Sequence, residues 1–203
     1  MIPRALILAV TVTALVPACS NRPPDEKDYA SRIASERTEK DALFRKDSEP
    51  IPDNRKSDLL PLSYFPIDPD YNVPASLTPS QDSSIIQIPT STGALRNYRR
   101  AGTLQFSLKG EPMKITAFVE PNDSNLIHLE VMFSDLTSGT ETYPAGRYIN
   151  LTRSGSGVYE LDFNRSYNPY CYYNASYECP YPPAENRLKV PIRAGERMKQ
   201  SEK

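Results

Sequence analysis

Apolar and polar residues alternate with a period of two along the second half of the chain. The pattern runs from Gly102 to Lys109 and resumes from Met113 to Ala117 after a turn at Gly110. It returns from Leu126 to Phe133, where every second residue is apolar. Alternation of this kind places successive side chains on opposite faces of a β-strand. Short antiparallel strands, and not helices, are therefore predicted for this half.

Two further alternating stretches, 147–153 and 158–163, flank the turn Ser154-Gly155-Ser156-Gly157 and predict a hairpin. A last alternating stretch over 188–192 predicts a final strand, and Pro191 favours an edge position for it. Short strands at close spacing with no helical pattern between them are typical of one fold class. We predict a mainly β, antiparallel sandwich or barrel-like domain, preceded by a short N-terminal helix and a proline-rich extended segment.

That proline-rich segment lies between Glu49 and Pro89 and contains eight of the 20 prolines of the chain. Each proline removes a backbone donor and disfavours helical backbone in the residue before it. No long regular element is expected here. The segment also carries apolar side chains, which favour an ordered extended connection over a flexible linker: Leu59, Leu60, Leu62, Tyr64, Phe65, Ile67 and Tyr71.

The N-terminal helix is predicted over 25–46, which contains neither proline nor glycine. Tyr29, Ile33 and the pair Leu43-Phe44 give a thin apolar stripe. Acidic residues are early in this stretch and basic residues late, as the helix dipole favours. A solvated spacer is the alternative interpretation, since mixed charges on a helix face need no partner.

The first 18 residues have the pattern of a signal peptide. Arg4 precedes an apolar run from Ala5 to Val16, which is too short to span a bilayer core of about 30 Å. Val16-Pro17-Ala18-Cys19 resembles a bacterial lipobox, in which the cysteine is acylated, for example by palmitate, and becomes the mature N-terminus. An ordinary secretory signal that happens to contain a cysteine is the alternative.

A lipidated Cys19 would hold the protein on a membrane, because several acyl chains anchor firmly. The expected location is the cell envelope, and Ser20 favours the outer membrane facing the periplasm. We predict four parts: signal peptide 1–18, tether and helix 19–48, a single β domain 49–197 and a disordered tail 198–203.

Composition and motifs favour a non-catalytic role. The 24 Lys and Arg residues nearly balance the 25 Asp and Glu residues, so no nucleic-acid partner is expected. His128 is the single histidine, which limits general-base chemistry near neutral pH. Zinc would need His128, both later cysteines and a carboxylate, at spacings that match no common site. No metal or other cofactor is predicted.

Cys171 and Cys179 are the two cysteines that remain once Cys19 is assigned to lipid. In an oxidising compartment an even number of cysteines predicts a disulfide. A redox-active pair is the competing interpretation, but the seven residues between them and the lack of an adjacent cation argue against an activated thiol.

Four segments resemble the DUF1684 family of bacterial secreted and lipid-anchored proteins. They are YFPIDPDYNVPA from Tyr64, FSDLTSGTETYPAGRYI from Phe133, DFNRSYNPYC from Asp162 and CPYPPAENRLKVPIRAGE from Cys179. The resemblance spans roughly Glu39 to Glu196. It implies a single domain of this family and leaves the activity open.

Polar residues crowd these segments. One interpretation is a buried network in which Asp162 or Glu185 pairs with Arg147 or Arg187. The other is a pocket for a small molecule, glycan or partner protein, with tyrosine walls and an arginine clamp. A carboxylate-based hydrolase or lyase using Asp162 and Glu185 is the alternative function. The candidate residues are Asp135, Tyr143, Arg147, Asp162, Asn164, Glu185, Asn186 and Arg187.

Overall fold

The computed structural model describes residues 26–123 and 125–199. The predicted signal peptide 1–18 and the predicted lipidation site Cys19 lie outside these residues, as does most of the predicted tail. Within the described ranges the chain is mainly antiparallel β structure with one long N-terminal helix, so the predicted fold class is confirmed.

Seven strands form one antiparallel sheet in the order β6-β5-β4-β3-β1-β7, with β2 paired to the first part of β3. The last two strands in the chain meet again at an antiparallel bridge between Arg153 and Tyr159, so the sheet is a nearly closed barrel. The strands are β1 Asn72–Pro79, β2 Ile85–Pro89, β3 Leu95–Leu108, β4 Glu111–Val119, β5 His128–Phe133, β6 Arg147–Thr152 and β7 Tyr159–Asp162.

Apart from the stretch 188–192, the alternating stretches form the strands they predict. β3 and β4 pair across the Gly110 turn. The predicted turn joins β6 to β7, which meet at the Arg153–Tyr159 bridge beside it and form no longer ladder in the described residues. On β5 the residues Leu129, Val131 and Phe133 face the barrel interior, while Glu130 lies on the opposite face. The period of two thus correctly assigned the two faces of the sheet.

The predicted final strand over 188–192 is wrong. Leu188 and Ile192 are buried as the alternation requires, but the segment pairs with no strand within the described residues. Pro191 cannot donate a ladder hydrogen bond, and the carbonyl of Ile192 accepts from an arginine side chain. The segment therefore fills the barrel end as irregular chain.

The proline-rich segment is ordered, and it supplies β1 and β2 as well as connections. Pro74 and Pro79 sit within β1, and Pro89 ends β2. β1 is not an edge strand, since it pairs with β3 through its second half and with β7 through its first. Each of its neighbours therefore uses only part of β1.

β3 bends, which allows it to pair with both β1 and β2 along the same edge. It carries a bulge between Arg100 and Gly102, and bulges of this kind bend the strand and increase its twist. A Cβ added to Gly102 would lie 2.2 Å from the carbonyl oxygen of Thr78 on β1. Only glycine permits this close approach.

The long helix α1 spans Glu26–Lys46, as predicted, and packs on the barrel. Tyr29, Ile33 and Phe44 are buried, whereas Leu43 remains 54% exposed. The helical part of the predicted tether thus lies against the β domain. The shorter helices are α2 Lys56–Leu59 and α3 Tyr170–Tyr173.

Ion pairs also hold α1 to the barrel. Arg165 donates from Nε and Nη2 to the two carboxylate oxygens of Glu36, both at 2.8 Å. This two-point hydrogen bond from Arg165 lowers the pKa of Glu36. Lys40 Nζ lies 2.5 Å from Oε1 of Glu196, which is 1% exposed. Charge-assisted bonds of these kinds fix the helix orientation on the sheet.

The main core fills the barrel, and two smaller apolar clusters lie outside it. The second cluster covers the outer face of the sheet and includes Tyr98, Met132, Tyr148 and both cysteines. The third lies beneath α1 and includes Phe44 and Tyr173. The outer face of β5 and β6 is therefore covered around Met132 and Tyr148, whereas Asn150 and Thr152 on the same face remain exposed.

No helix in the described part of the chain is both long and apolar enough to cross a membrane.

Candidate functional site

Arg147 and Asp135 form a buried ion pair. Each side chain is 1% exposed, and Arg147 Nη2 donates to Asp135 Oδ2 at 3.0 Å. The second carboxylate oxygen accepts from the backbone N–H and hydroxyl of Thr137 at 2.7 and 2.6 Å, and from the N–H of Ile192 at 3.2 Å. Buried charges need this degree of hydrogen bonding to offset their desolvation.

The same guanidinium also holds the C-terminal segment. Nη2 donates to the carbonyl of Ile192 at 2.7 Å, and Nη1 donates to the carbonyls of Ala194 and Glu196. Burial lowers the pKa of Arg147, and the Asp135 charge opposes this shift. All described hydrogen-bond partners of Arg147 belong to the fold itself, and only 1% of its side chain is exposed. Arg147 therefore stabilises the structure and is not placed to bind an anionic ligand.

Asp162, an expected partner of Arg147, belongs to a different cluster. Its carboxylate accepts from the Tyr29 hydroxyl at 2.9 Å and from the backbone N–H of Asn164 at 2.9 Å. The Asn164 amide donates in turn to the Tyr29 oxygen at 2.9 Å and to the carbonyl of Asp68 at 2.8 Å. Burial raises the pKa of Asp162, and these hydrogen bonds oppose the shift. The cluster joins α1 to the end of β7.

Asn186 sits between β4 and β5, which are paired at Phe118 and Glu130. Its Nδ2 donates to the carbonyls of Thr116 and Met132, each at 2.8 Å, and its Oδ1 accepts from the N–H of Thr116 at 2.8 Å. Those two residues would face each other if the pairing continued in register. The Asn186 amide therefore takes the place of a ladder hydrogen bond where the strands separate.

The neighbours of Asn186 point outward. Glu185 is exposed and accepts from Arg100 Nη2 at 3.2 Å, and Arg187 is also exposed. Among the residues that the structure describes, no hydrogen bond or ion pair joins Asp162 to Glu185. The two carboxylates proposed for acid–base work thus share no contact.

Tyr143 and the two cysteines lie together under the outer face of the sheet. The Tyr143 ring packs edge-on against Tyr172 at a centroid distance of 5.3 Å, and burial raises its pKa to about 12. Cys171 and Cys179 are both buried and adjacent, with the N–H of Cys171 donating to Sγ of Cys179 at 3.2 Å. In the thiol form, the hydrogen bond from Cys179 lowers the pKa of Cys171 to about 6. The disulfide between them stays a prediction.

The eight candidate residues are thus distributed over separate clusters. Asp135 joins Arg147, Asp162 joins Asn164, Asn186 bridges two strands, and Tyr143 lies by the cysteines. In each of these clusters the polar groups bind backbone or one another. This arrangement matches the network interpretation more closely than the pocket interpretation.

A cleft does exist, but other residues line it. It lies between the C-terminal half of α1, the outer face of β5 and β6, and the tyrosine-rich segment after β7. Its volume is about 540 Å³, within the range of about 300–1,000 Å³ usual for ligand sites. The lining residues are Lys40, Leu43, Phe44, Arg96, Glu130, Tyr148, Asn150, Tyr167, Pro169, Tyr170, Tyr177, Glu178, Cys179 and Pro180. We call it the tyrosine cleft.

Sequence reasoning missed most of the polar residues of this cleft. Glu130 was assigned correctly to the outer face of β5, but nothing in the alternation marks it as part of a site. Lys40 comes from the helix and Arg96 from β3, both far from Glu130 in the chain. The available signal was the tyrosine-rich segment, which supplies half of the lining.

Glu130 is a partly buried carboxyl with no ion pair within hydrogen-bonding range among the described residues. Burial raises its pKa, while the Tyr98 hydroxyl and the Arg96 charge oppose the shift. Tyr98 is 1% exposed, and its hydroxyl has no hydrogen-bond partner of good geometry. A desolvated carboxyl beside a buried hydroxyl is costly to the fold and is typical of sites that bind or react.

Replacing Glu130 with glutamine is expected to stabilise the protein slightly at neutral pH. The folded state binds the Glu130 proton more tightly than the unfolded state, because its pKa is raised. Its contribution to stability is therefore most favourable below the unfolded pKa and falls as pH rises through the folded pKa. In urea unfolding, E130Q should exceed wild type at pH 7 and approach it towards about pH 4. Glu111→Gln, at an exposed position on β4, is the control, and a destabilised E130Q would contradict the assignment.

No group of three or more His, Cys, Asp or Glu side chains in the described ranges is arranged to hold a metal ion. His128 is exposed, and its Nδ1 lies 3.3 Å from the Thr152 hydroxyl on β6. It lines no part of the tyrosine cleft.

The fold and its clusters define a nearly closed antiparallel barrel with an N-terminal helix, and known proteins share it. Residues 58–197 match the model of DUF1684, a family described as proteins of unknown function. The solution NMR structure of an uncharacterized protein of Haloarcula marismortui has a TM-score of 0.67 and 34% sequence identity to this chain. The match covers 88% of this chain and 98% of the other.

The chain therefore belongs to the DUF1684 family, as the four sequence segments indicated. None of the curated proteins matches it significantly.

Proposed function

We propose that this protein is a lipid-anchored lipoprotein of the bacterial cell envelope, with a non-catalytic role in binding a small molecule. Acylation of Cys19 would attach it to the membrane, with the barrel in the periplasm. The binding site is the tyrosine cleft, and the candidate polar residues of the family segments hold the barrel around it.

The observation that carries the binding role is the composition of the cleft. The aromatic side chains of Phe44, Tyr148, Tyr167 and Tyr170 line the cleft together with the partly buried Glu130. Ligand sites typically combine an apolar lining with a few polar groups that fix orientation. A carboxyl kept in a desolvated position at a cost to stability supports the same conclusion.

The anchor is proposed from the sequence around Cys19, since those residues lie outside the described structure. The order of the predicted segments along the chain is consistent with a lipid anchor at Cys19. Only a short stretch separates Cys19 from the start of α1 at Glu26. The N-terminal end of α1 would therefore stay near the membrane surface, while the cleft lies at the C-terminal half of this helix.

A carboxylate-based hydrolase or lyase is the second candidate, and Glu130 is the observation that favours it. A raised pKa keeps a carboxyl protonated at higher pH, as a general acid requires. Glu178 is the other carboxyl in the cleft. Conversion of a bound ligand by wild type and not by E130Q would identify an enzyme.

A ligand screen by thermal shift tests the binding role. A ligand at about 100 times its Kd should raise the melting temperature of the full-length protein by about 5–10 °C. Asn150→Trp fills the cleft from the exposed outer face of β6 and should abolish this rise. Thr152→Trp is the matched control, because it is exposed on the same face and strand but does not line the cleft. Equal shifts in both variants would place binding elsewhere.

A further inference from the structure

The cations of the tyrosine cleft are already compensated. Lys40 Nζ lies 2.5 Å from the carboxylate of Glu196, and Arg96 Nη2 lies 2.7 Å from that of Glu120. Neither carboxylate lines the cleft. Both cations of the described lining therefore already have a carboxylate partner outside it.

Part of the aromatic lining is already used by a cation of the protein. Aromatic side chains can form a cage for a cation, but Lys40 already lies 5.1 Å from the Tyr167 ring centre and 5.2 Å from that of Phe44. Burial favours the neutral form of Glu130. Glu178 accepts from the hydroxyl of Thr92 at 2.8 Å and, like Glu130, forms no ion pair with a described residue.

The tyrosine rings are held in place by their own hydroxyls. Tyr167 donates to Oδ1 of Asn150 at 3.2 Å, and Tyr148 and Tyr177 donate to acceptors in neighbouring segments. Tyr170 and Tyr177 meet edge-to-face at a centroid distance of 5.3 Å. Rings fixed in this way present flat surfaces at little entropic cost on binding.

Two hydrogen-bonding side chains, Asn150 and Glu130, line the cleft together with the rings. The Tyr167 hydroxyl donates to the side-chain oxygen of Asn150. The Nδ2 group of Asn150 donates to no described residue. The Glu130 carboxyl accepts hydrogen bonds in either protonation state, and it also donates when it is protonated. A sugar ring has one face of C–H groups, which suits the negative face of an aromatic ring, and a rim of hydroxyls that donate and accept.

We propose that the tyrosine cleft binds a neutral carbohydrate, a short oligosaccharide that stacks on the tyrosines and hydrogen-bonds to Asn150 and Glu130. This inference rests on the proposed binding function and names the class of ligand for the same site.

Calorimetric titration with matched trisaccharides tests it. Triacetylchitotriose is neutral and chitotriose, its deacetylated form, is cationic; maltotriose and cellotriose are neutral and trigalacturonic acid is anionic. The full-length protein is kept in a polyoxyethylene detergent, because a glycoside detergent would compete for the cleft. We expect at least one neutral trisaccharide to bind with a Kd below about 1 mM and about tenfold more tightly than the charged ones. N150W should lose this binding, and T152W should keep it.

The outcomes separate the ligand class from the binding role. Tighter binding of a charged trisaccharide that N150W abolishes would overturn the neutral class and leave the binding role standing. The same holds if no trisaccharide binds while phosphocholine, a tripeptide or a nucleoside binds in an N150W-sensitive manner. If no probe of any class binds in that manner, both the ligand class and the binding role are refuted.

Discussion

Arg147→Met should destabilise the protein by about 3–5 kcal/mol, because it leaves Asp135 as a buried charge without its partner. Three backbone carbonyls of the C-terminal segment would lose their donor as well. Urea unfolding at neutral pH, followed by far-UV circular dichroism, measures the loss. An effect below about 1 kcal/mol, typical of an exposed ion pair, would show that the pair does not hold the fold.

Two further variants isolate the cause. Asp135→Asn combined with Arg147→Met removes both charges and keeps the oxygen that accepts from Thr137. The double variant should therefore recover part of the loss, since neither charge is left alone. Arg193→Met is the surface control: its pair with Glu141 is exposed, and its loss should hardly move the unfolding midpoint.

Asn186→Ala is expected to cost about 3 kcal/mol, because two carbonyls and one N–H at the gap between β4 and β5 would lose their partners. Asn186→Asp keeps the shape but cannot donate, so it should be destabilised comparably. The measurement is again urea unfolding, supported by hydrogen exchange of the Thr116 amide, which should become faster in Asn186→Ala.

Asn97→Ala is the matched control for this position. Asn97 is exposed on β3, and its side chain makes one long contact of 3.5 Å to Gln87. Its loss should change stability by no more than about 0.5 kcal/mol. Equal losses of stability in Asn97→Ala and Asn186→Ala would show that the Asn186 amide does not replace a hydrogen bond between the strands.

The strands could be predicted because the barrel interior imposes a period of two on every strand that crosses it. Leu129, Val131 and Phe133 follow that period, and so do β6 and β7 on either side of the Gly155 turn. The segment after Leu188 follows it as well and yet forms no strand. Its backbone carbonyls are used by Arg147, and alternation in a sequence carries no information about that competition.

The partners of the polar residues could not be predicted, because they are distant in the chain. Asp135 precedes the arginine that it binds by 12 positions, whereas Tyr29 and Asp162 are separated by 133. The same limit applies to the tyrosine cleft. Its walls come from α1, β3, β5, β6 and the segment after β7, and only the fold brings them together.

The segment 162–188 illustrates both outcomes. It is rich in tyrosines and prolines, and three of its six tyrosines, Tyr167, Tyr170 and Tyr177, line the cleft. Its end residues suggested a shared polar site, but Asp162 binds α1 while Asn186 bridges two strands. The packing residues of the segment, more than its charged ends, form the candidate site.

Amide chemical shifts of the labelled full-length protein, recorded as a bound ligand is titrated, test most directly whether the cleft binds and the motif residues only hold the fold. We expect shift changes at Glu130, Asn150, Tyr167 and Tyr177, and unchanged signals at Asp135, Arg147 and Asn186. Changes centred on Asp135 and Arg147, with the cleft residues unaffected, would contradict this division between scaffold and site.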